Sequence, residues 1–129
     1  DYADLSISLP MGIYVVTDDL YLRRRLHGAI IDTGAWMPFV TSRLASLLEP
    51  AGVQYADESP QFGSLRGEYL EGSITIPAAD RDVSRRLRFG LLPDVLDRLG
   101  TFDAILGVTA LTDKRLAFDF ERKVLRIKL

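Results

Sequence analysis

The sequence predicts an all-β, barrel-like domain with one short helix. Three observations carry that prediction: short runs in which apolar and polar residues alternate, glycine and proline punctuation between them, and a single run at helical spacing. Leu5, Ile7 and Leu9 fall on one side of an extended chain and Ser6 and Ser8 on the other, a half-buried strand that Pro10 and Gly12 end. Ile13 to Val16 predicts a second strand, Asp18-Asp19 a turn, and Leu20 to Ile31 further extended chain. Val40, Leu44, Leu47 and Leu48 share one face of a helix, with Thr41 or Ser42 as its cap and Pro50-Ala51-Gly52 as its stop.

From Val53 to Ile76, the glycines at 63, 67 and 72 and the alternating Ser73-Ile74-Thr75-Ile76 predict a hairpin with its tip near Phe62 to Gly67. Leu87 to Leu92 reads as a strand and Val95 to Leu99 as a short helical turn or loop. Ala104-Ile105-Leu106-Gly107 reads as a buried strand ending in glycine, followed by a capped stretch from Thr109 to Leu116. Leu116 to Phe120, a turn at Glu121-Arg122-Lys123, and Val124 to Leu129 form a closing hairpin.

Composition narrows the function. A chain of 129 residues makes one domain, spanning 1–129, with 47% hydrophobic and 26% charged residues, an ordinary globular balance. The net charge is -2 and the basic residues form no dominant block, so no nucleic-acid partner is expected. Arg23-Arg24-Arg25 and the run from Arg81 to Arg88 read as solvated strand or loop surface. Without cysteine there are no disulfides, thiolate metal sites or thiol nucleophiles, and His27 is the only histidine, which rules out a multi-histidine metal site. No metal or other cofactor is expected. No run reaches the ~18 apolar residues of a membrane span. The chain opens at Asp1 rather than Met, so a membrane, targeting or precursor segment upstream stays open, and so does the compartment.

The chemistry rests on Asp32-Thr33-Gly34, which follows the β-branched pair Ile30-Ile31, precedes Ala35, and is answered far downstream by Ile105-Leu106-Gly107. Alone, an Asp-Thr-Gly is a plausible strand-ending turn. In this order the two motifs resemble those of the retropepsin-like aspartic peptidases, where an Asp-Thr-Gly-Ala loop and a later Ile-Leu-Gly recur. Catalytic loop, flap hairpin, return strand, Ile-Leu-Gly, small helix and closing hairpin account for nearly all of residues 5 to 129.

The resemblance implies an acid-protease-like closed barrel and an aspartic endopeptidase acting on a polypeptide substrate. Hydrolysing a peptide with neither metal nor covalent intermediate requires one carboxylate to accept a proton from water and one carboxylic acid to polarise the carbonyl. Like charges ~3 Å apart cannot both ionise, so the pair shares one proton, as is known of aspartic peptidases. With one Asp-Thr-Gly in the chain, the second aspartate has to come from a second copy, which implies a two-fold homodimer whose axis passes between the two Asp32 side chains.

By the same resemblance Asp32 is the catalytic acid and base, Thr33 hydrogen-bonds to the opposite loop, and Gly34 permits a tight turn and offers its N–H to the carboxylates. A hydroxyl at position 35 would donate to the carboxylate and favour its charged form. Ala35 has none, so activity is expected at milder acidity than in a Ser- or Thr-bearing relative. Phe62, Gly63 and Ser64 belong to the flap, and Leu91, Leu92 and Ile105 to apolar substrate pockets, with Ala35 beside them. The substrate is expected to be extended, with bulky apolar groups next to the scissile bond.

The chain departs from the viral members after Ala35. They carry acidic residues that grip the substrate backbone and pair with an arginine after the second glycine, whereas this chain has Trp36, Met37 and Val108. It resembles a cellular or bacterial relative more closely, and Arg126 and Lys128 would charge one face of the terminal strand. Asp18-Asp19 and Asp57-Glu58 read as solvated turns rather than metal or glycosidase sites. The competing reading is a non-catalytic β-barrel of the same fold that binds peptides or serves as a dimerisation module.

Overall fold

The structure, a computed structural model, describes residues 1–10, 14–35, 37–60, 63–93 and 102–129. The predicted turn at Val95 to Leu99 therefore lies outside the described residues, as do Trp36 and Phe62. Strands β1 (Tyr2–Ser6), β2 (Val15–Thr17), β3 (Tyr21–Leu22), β4 (Arg24–Arg25), β5 (Ala29–Ile31) and β6 (Phe39–Val40) precede the helix α1 (Ser42–Ala45). Then come β7 (Glu49–Ser59), β8 (Gly63–Pro77), β9 (Asp82–Leu91), β10 (Ala104–Leu106), α2 (Val108–Leu111), β11 (Leu116–Asp119) and β12 (Val124–Lys128). The all-β expectation holds, with 55% strand and 8% helix among the described residues.

The closed barrel does not. The strands form a three-stranded sheet, β1-β12-β11, and a nine-stranded sheet, β2-β5-β10-β6-β9-β8-β3-β4 with β7 paired to β8, and neither closes on itself. The physical reason is a shared core. Ala3, Leu5, Ile7, Leu125 and Ile127 of the small sheet's side pack in one cluster with Leu22, Ile31, Val40, Ile74, Ile76, Phe89 and Leu106 of the large one. Stacking buries both apolar faces without ring closure. A Ser8–Val16 bridge ties the two sheets together, and the Ile7 N–H donated to Lys123 C=O extends the β1–β12 ladder.

Several elements differ from their predicted form. The extended stretch from Leu20 to Ile31 is broken into β3, β4 and β5, because Arg23 and Gly28 adopt positive φ, 60° and 63°. One short helix becomes two among the described residues, and α1 is four residues long. Thr41 occupies its N-cap position without capping it, since the hydroxyl donates to Asp103 C=O at 3.3 Å instead. The predicted stop, Pro50-Ala51-Gly52, lies in β7, at an irregularity of register between Pro50 and Gln54. Strand β9 starts at Asp82, so most of the arginine run is strand. Arg86 and Arg88 pair with Glu71 on the neighbouring strand at 3.1 and 3.0 Å, and Arg85 donates to the carbonyls of Ala110 and Thr109.

The closing hairpin is as predicted, and β12 also pairs with β1 from Tyr2–Lys128 to Ser6–Val124. On its outer face Arg126 grips Asp4 through two hydrogen bonds of 2.9 and 3.2 Å. Its guanidinium and the Lys128 ammonium lie 5.3 and 5.2 Å from the Tyr2 ring centre. The Arg126–Asp4 bond holds the Asp4 carboxyl below the usual carboxylate range.

Candidate active site

Two of the large sheet's central strands position the site. β5 ends at Ile31 and delivers Asp32, and β10 ends at Leu106 and delivers Gly107. They run parallel and adjacent, Ile30 beside Ile105 and Ile31 beside Leu106. The pairing continues one step beyond the ladder, where the Asp32 N–H donates to Leu106 C=O at 2.9 Å. The two motifs, far apart in sequence, thus emerge side by side at the same end of the sheet, and the flanking Ala29, Ile30 and Ile31 are all buried.

The loop turns back on itself at once. Ala35 N–H donates to Asp32 C=O at 3.1 Å, and Gly34 N–H donates to Asp32 Oδ1 at 2.9 Å. Asp32 is half-buried, and Thr33 and Gly34 are exposed beside it. The expected reason for glycine at position 34 needs correction. Its φ is not in the left-handed region, and a Cβ there would meet Asp32 Oδ1 at 3.4 Å, an ordinary contact. Tight turning does not demand a glycine at this position, and what the residue supplies is its N–H to the carboxylate. Gly107 is the sterically obligatory one, since a Cβ there would lie 2.1 Å from the Ala35 carbonyl oxygen.

Of the remaining predicted residues, Leu92 and Ile105 belong to a second apolar cluster, in which Met37, Phe39, Tyr55, Leu65 and Leu92 are buried and Tyr69, Phe102 and Ile105 pack against them. Met37 is core here. Gly90 makes room for it, because a Cβ would lie 2.8 Å from the Met37 methyl and 2.7 Å from the Phe39 ring. The hairpin β7–β8 contributes Tyr55 and Leu65 to this cluster and so packs with Phe39 of β6 and Ile105 of β10.

The hairpin's turn is shorter than predicted. Ser59 pairs with Gly63, Glu58 with Ser64 and Tyr55 with Gly67, so Ser64 to Gly67 are strand rather than tip. Gly63, at φ 74°, is the glycine the turn uses, and Ser64 Oγ donates to Glu58 Oε1 at 2.6 Å. Ser64, Leu91 and Leu92 line one groove of about 440 Å³ with Tyr55, Leu65 and Pro93. Asp32 is not among the residues lining it, so among the described residues the predicted site divides into the carboxylate loop and the hairpin groove. Ile105 links them, adjoining Leu106 and Gly107 on one side and the second cluster on the other.

Sequence reasoning missed two residues. Asp103, 2% exposed, accepts the His27 N–H at 2.7 Å and the Arg24 guanidinium at 3.0 Å on one oxygen, and faces Arg43 at 3.6 Å with the other. It pins β4, α1 and the start of β10 together, and an acid directly before an apolar strand was its one sequence signal. Tyr55 was the other, and an aromatic in an otherwise exposed strand is a weak signal. The carboxylates of Asp18 and Asp19 accept N–H groups of Gly28 and Ser6, both at 2.6 Å, a structural role in the turn. Among the described residues, no group of three His, Cys, Asp or Glu side chains could hold a metal ion. Comparison of the chain with protein-family models, curated proteins and solved structures finds no match.

Proposed function

We propose that the chain is one half of a homodimeric aspartic endopeptidase of the retropepsin-like type, with Asp32 and the partner subunit's Asp32 as its dyad. The observation that carries the reading is the junction of the two motifs. A half-buried carboxylate, fed by a backbone N–H, stands on a loop whose next residue is packed against Gly107 at the end of a parallel neighbour strand. A plain strand-ending turn needs none of this.

In the proposed reaction, one Asp32 carboxylate accepts a proton from water as the water oxygen bonds to the peptide carbonyl carbon. The protonated partner's Asp32 gives its proton to the carbonyl oxygen. Collapse of the tetrahedral diol breaks the C–N bond, returns a proton to the dyad and sends one out on the amine. Thr33, which is exposed, would meet the opposite loop, Ile105 beside the Asp32 loop would flank a bulky side chain next to the scissile bond, and the groove of Leu91 and Leu92 would take an apolar side chain farther along the peptide.

The test is Asp32→Asn against extended apolar peptides. Cleavage should fall by at least three orders of magnitude with the unfolding free energy within ~0.5 kcal/mol of wild type, because asparagine can still accept the Gly34 N–H. Wild-type activity per chain should also drop on dilution, in step with solution mass. Undiminished turnover by the variant, or full activity in a species with the mass of one chain, would overturn the proposal. Peptide binding without cleavage in the wild type would favour the non-catalytic module.

A further inference from the structure

At Leu91 the large sheet splits. Strand β8 pairs with β9 from Pro77–Asp82 as far as Leu70–Phe89, and beyond Leu70 it continues with β7 as the free-standing part of the hairpin. In a strand, neighbouring residues present their N–H and C=O to opposite sides. The N–H groups of Gly90 and Leu92 go to Pro38 and Val40 on the β6 side, so those of Leu91 face the side that β8 has left.

A side chain fills the vacancy in the ladder. The Tyr55 hydroxyl accepts the Leu91 N–H at 3.0 Å and lies 3.4 Å from Leu91 C=O, to which it donates. Tyr55 is 7% exposed, so its hydroxyl needs a partner, and the backbone pair of the partly exposed Leu91, which the ladder no longer uses, supplies one. The ring is fixed from three sides. Tyr69 lies 5.1 Å from it between centroids, Leu65 and Leu92 share its cluster, and Gly67 stands directly across the hairpin. A Cβ at Gly67 would come within 3.1 Å of the hydroxyl and 3.2 Å of the ring, so a side chain there would make Tyr55 give by a few tenths of an ångström.

We infer that Tyr55 is the positioning residue of the hairpin, its hydroxyl latching β7–β8 down onto the second apolar cluster through the Leu91 backbone. The inference rests on the reading of that hairpin as the cover of a peptide site, and it adds the contact that sets closure. Closing excludes water from a bound peptide, and the hairpin lifts by releasing Leu91. The latch biases the open–closed equilibrium by as much as the lost bonds are worth and no more.

Tyr55→Phe keeps the ring and removes the hydroxyl, while Gly67→Ala disturbs the hydroxyl's position from across the hairpin. Residue-resolved hydrogen exchange should show the Leu91 amide exchanging about tenfold faster in Tyr55→Phe, the factor expected for one or two bonds to a neutral hydroxyl. Gly67→Ala should move it in the same direction. The Asp32 amide, held by Leu106, should be unchanged in both. With an apolar peptide substrate, Tyr55→Phe should raise KM several-fold and leave kcat within about twofold. Unchanged Leu91 exchange in both variants overturns the latch, and so does faster exchange spread evenly over β9. An opened Leu91 amide with an unaltered KM overturns the positioning role. Should the wild type cleave no peptide, the peptidase reading falls, and the exchange measurement alone decides the latch.

Discussion

Replacing Gly107 with alanine tests the junction on which the site is built. The backbone there, φ −79° and ψ 170°, is ordinary extended chain that any residue adopts, so the substitution carries no conformational penalty of its own. Its whole effect is steric. The added carbon would lie 2.1 Å from the Ala35 carbonyl oxygen and 3.1 Å from the carbonyl carbon. Carbon–oxygen contacts close at ~3.3 Å, so the two segments must separate by about 1 Å. The obstacle is backbone, and no change of rotamer relieves it.

Overpacking of this kind costs about 1–3 kcal/mol. In a chain of this length each kcal/mol lowers Tm by roughly 3–6 °C. The same displacement falls on the loop that carries Asp32, and a misplacement of ~1 Å costs on the order of 100-fold in rate. Thermal and urea unfolding should be measured beside peptide cleavage at a temperature where the variant is fully folded. A wild-type midpoint would refute the close approach of the two motifs. A destabilised variant that cleaves at the wild-type rate would refute the link between this packing and the carboxylate.

The remaining predictions concern what holds the frame. Asp103→Asn leaves the His27 N–H and the Arg24 and Arg43 guanidiniums with one acceptor oxygen fewer. The arginines are partly exposed and can turn to water, so the loss should be about 1–3 kcal/mol by urea unfolding, and an unchanged midpoint would show that Asp103 pins nothing. Asp4 is held below the usual carboxylate range by the hydrogen bond from Arg126, with the charges of Arg126 and Arg122 adding to it. A carboxylate whose folded-state pKa is depressed contributes stability above its unfolded value, near pH 4, and loses it as pH falls through the folded value. The urea midpoints of wild type and Asp4→Asn should therefore differ most above about pH 4, converge on further acidification, and lie closer together in high salt, because the pair is exposed. A difference independent of pH would count against the ion pair.

Much of the site was legible because its parts are local. Asp32 to Ala35 and Ile105 to Gly107 are contiguous motifs, and their apolar flanks, Ile30-Ile31 and Ala104-Ile105-Leu106, announce central strands by themselves. The closing hairpin was legible for the same reason, with apolar Leu125 and Ile127 alternating with Arg126 and Lys128 around a short polar turn. Strand β9 was legible as a definite strand only from Leu87 onward, because Asp82, Ser84, Arg85 and Arg86 dominate its first half and leave strand and loop surface equally open. The start of β7 was not legible, because Pro50 and Gly52 read as a helix stop and the chain instead absorbs them at an irregularity of the ladder.

Sequence alone determined the elements and the chemistry on offer: short alternating strands, one Asp-Thr-Gly loop, no thiol, a lone histidine. Periodicity and residue type are properties of neighbours along the chain, and they suffice for that. Tertiary structure decided everything that depends on distant segments meeting. It set two stacked sheets in place of a barrel, moved the steric demand from Gly34 to Gly107, buried Asp103 between arginines from two other elements, and gave Leu91 a tyrosine in place of a strand. Each of these follows from filling space around a shared core, and which segments meet there is a property of the whole fold.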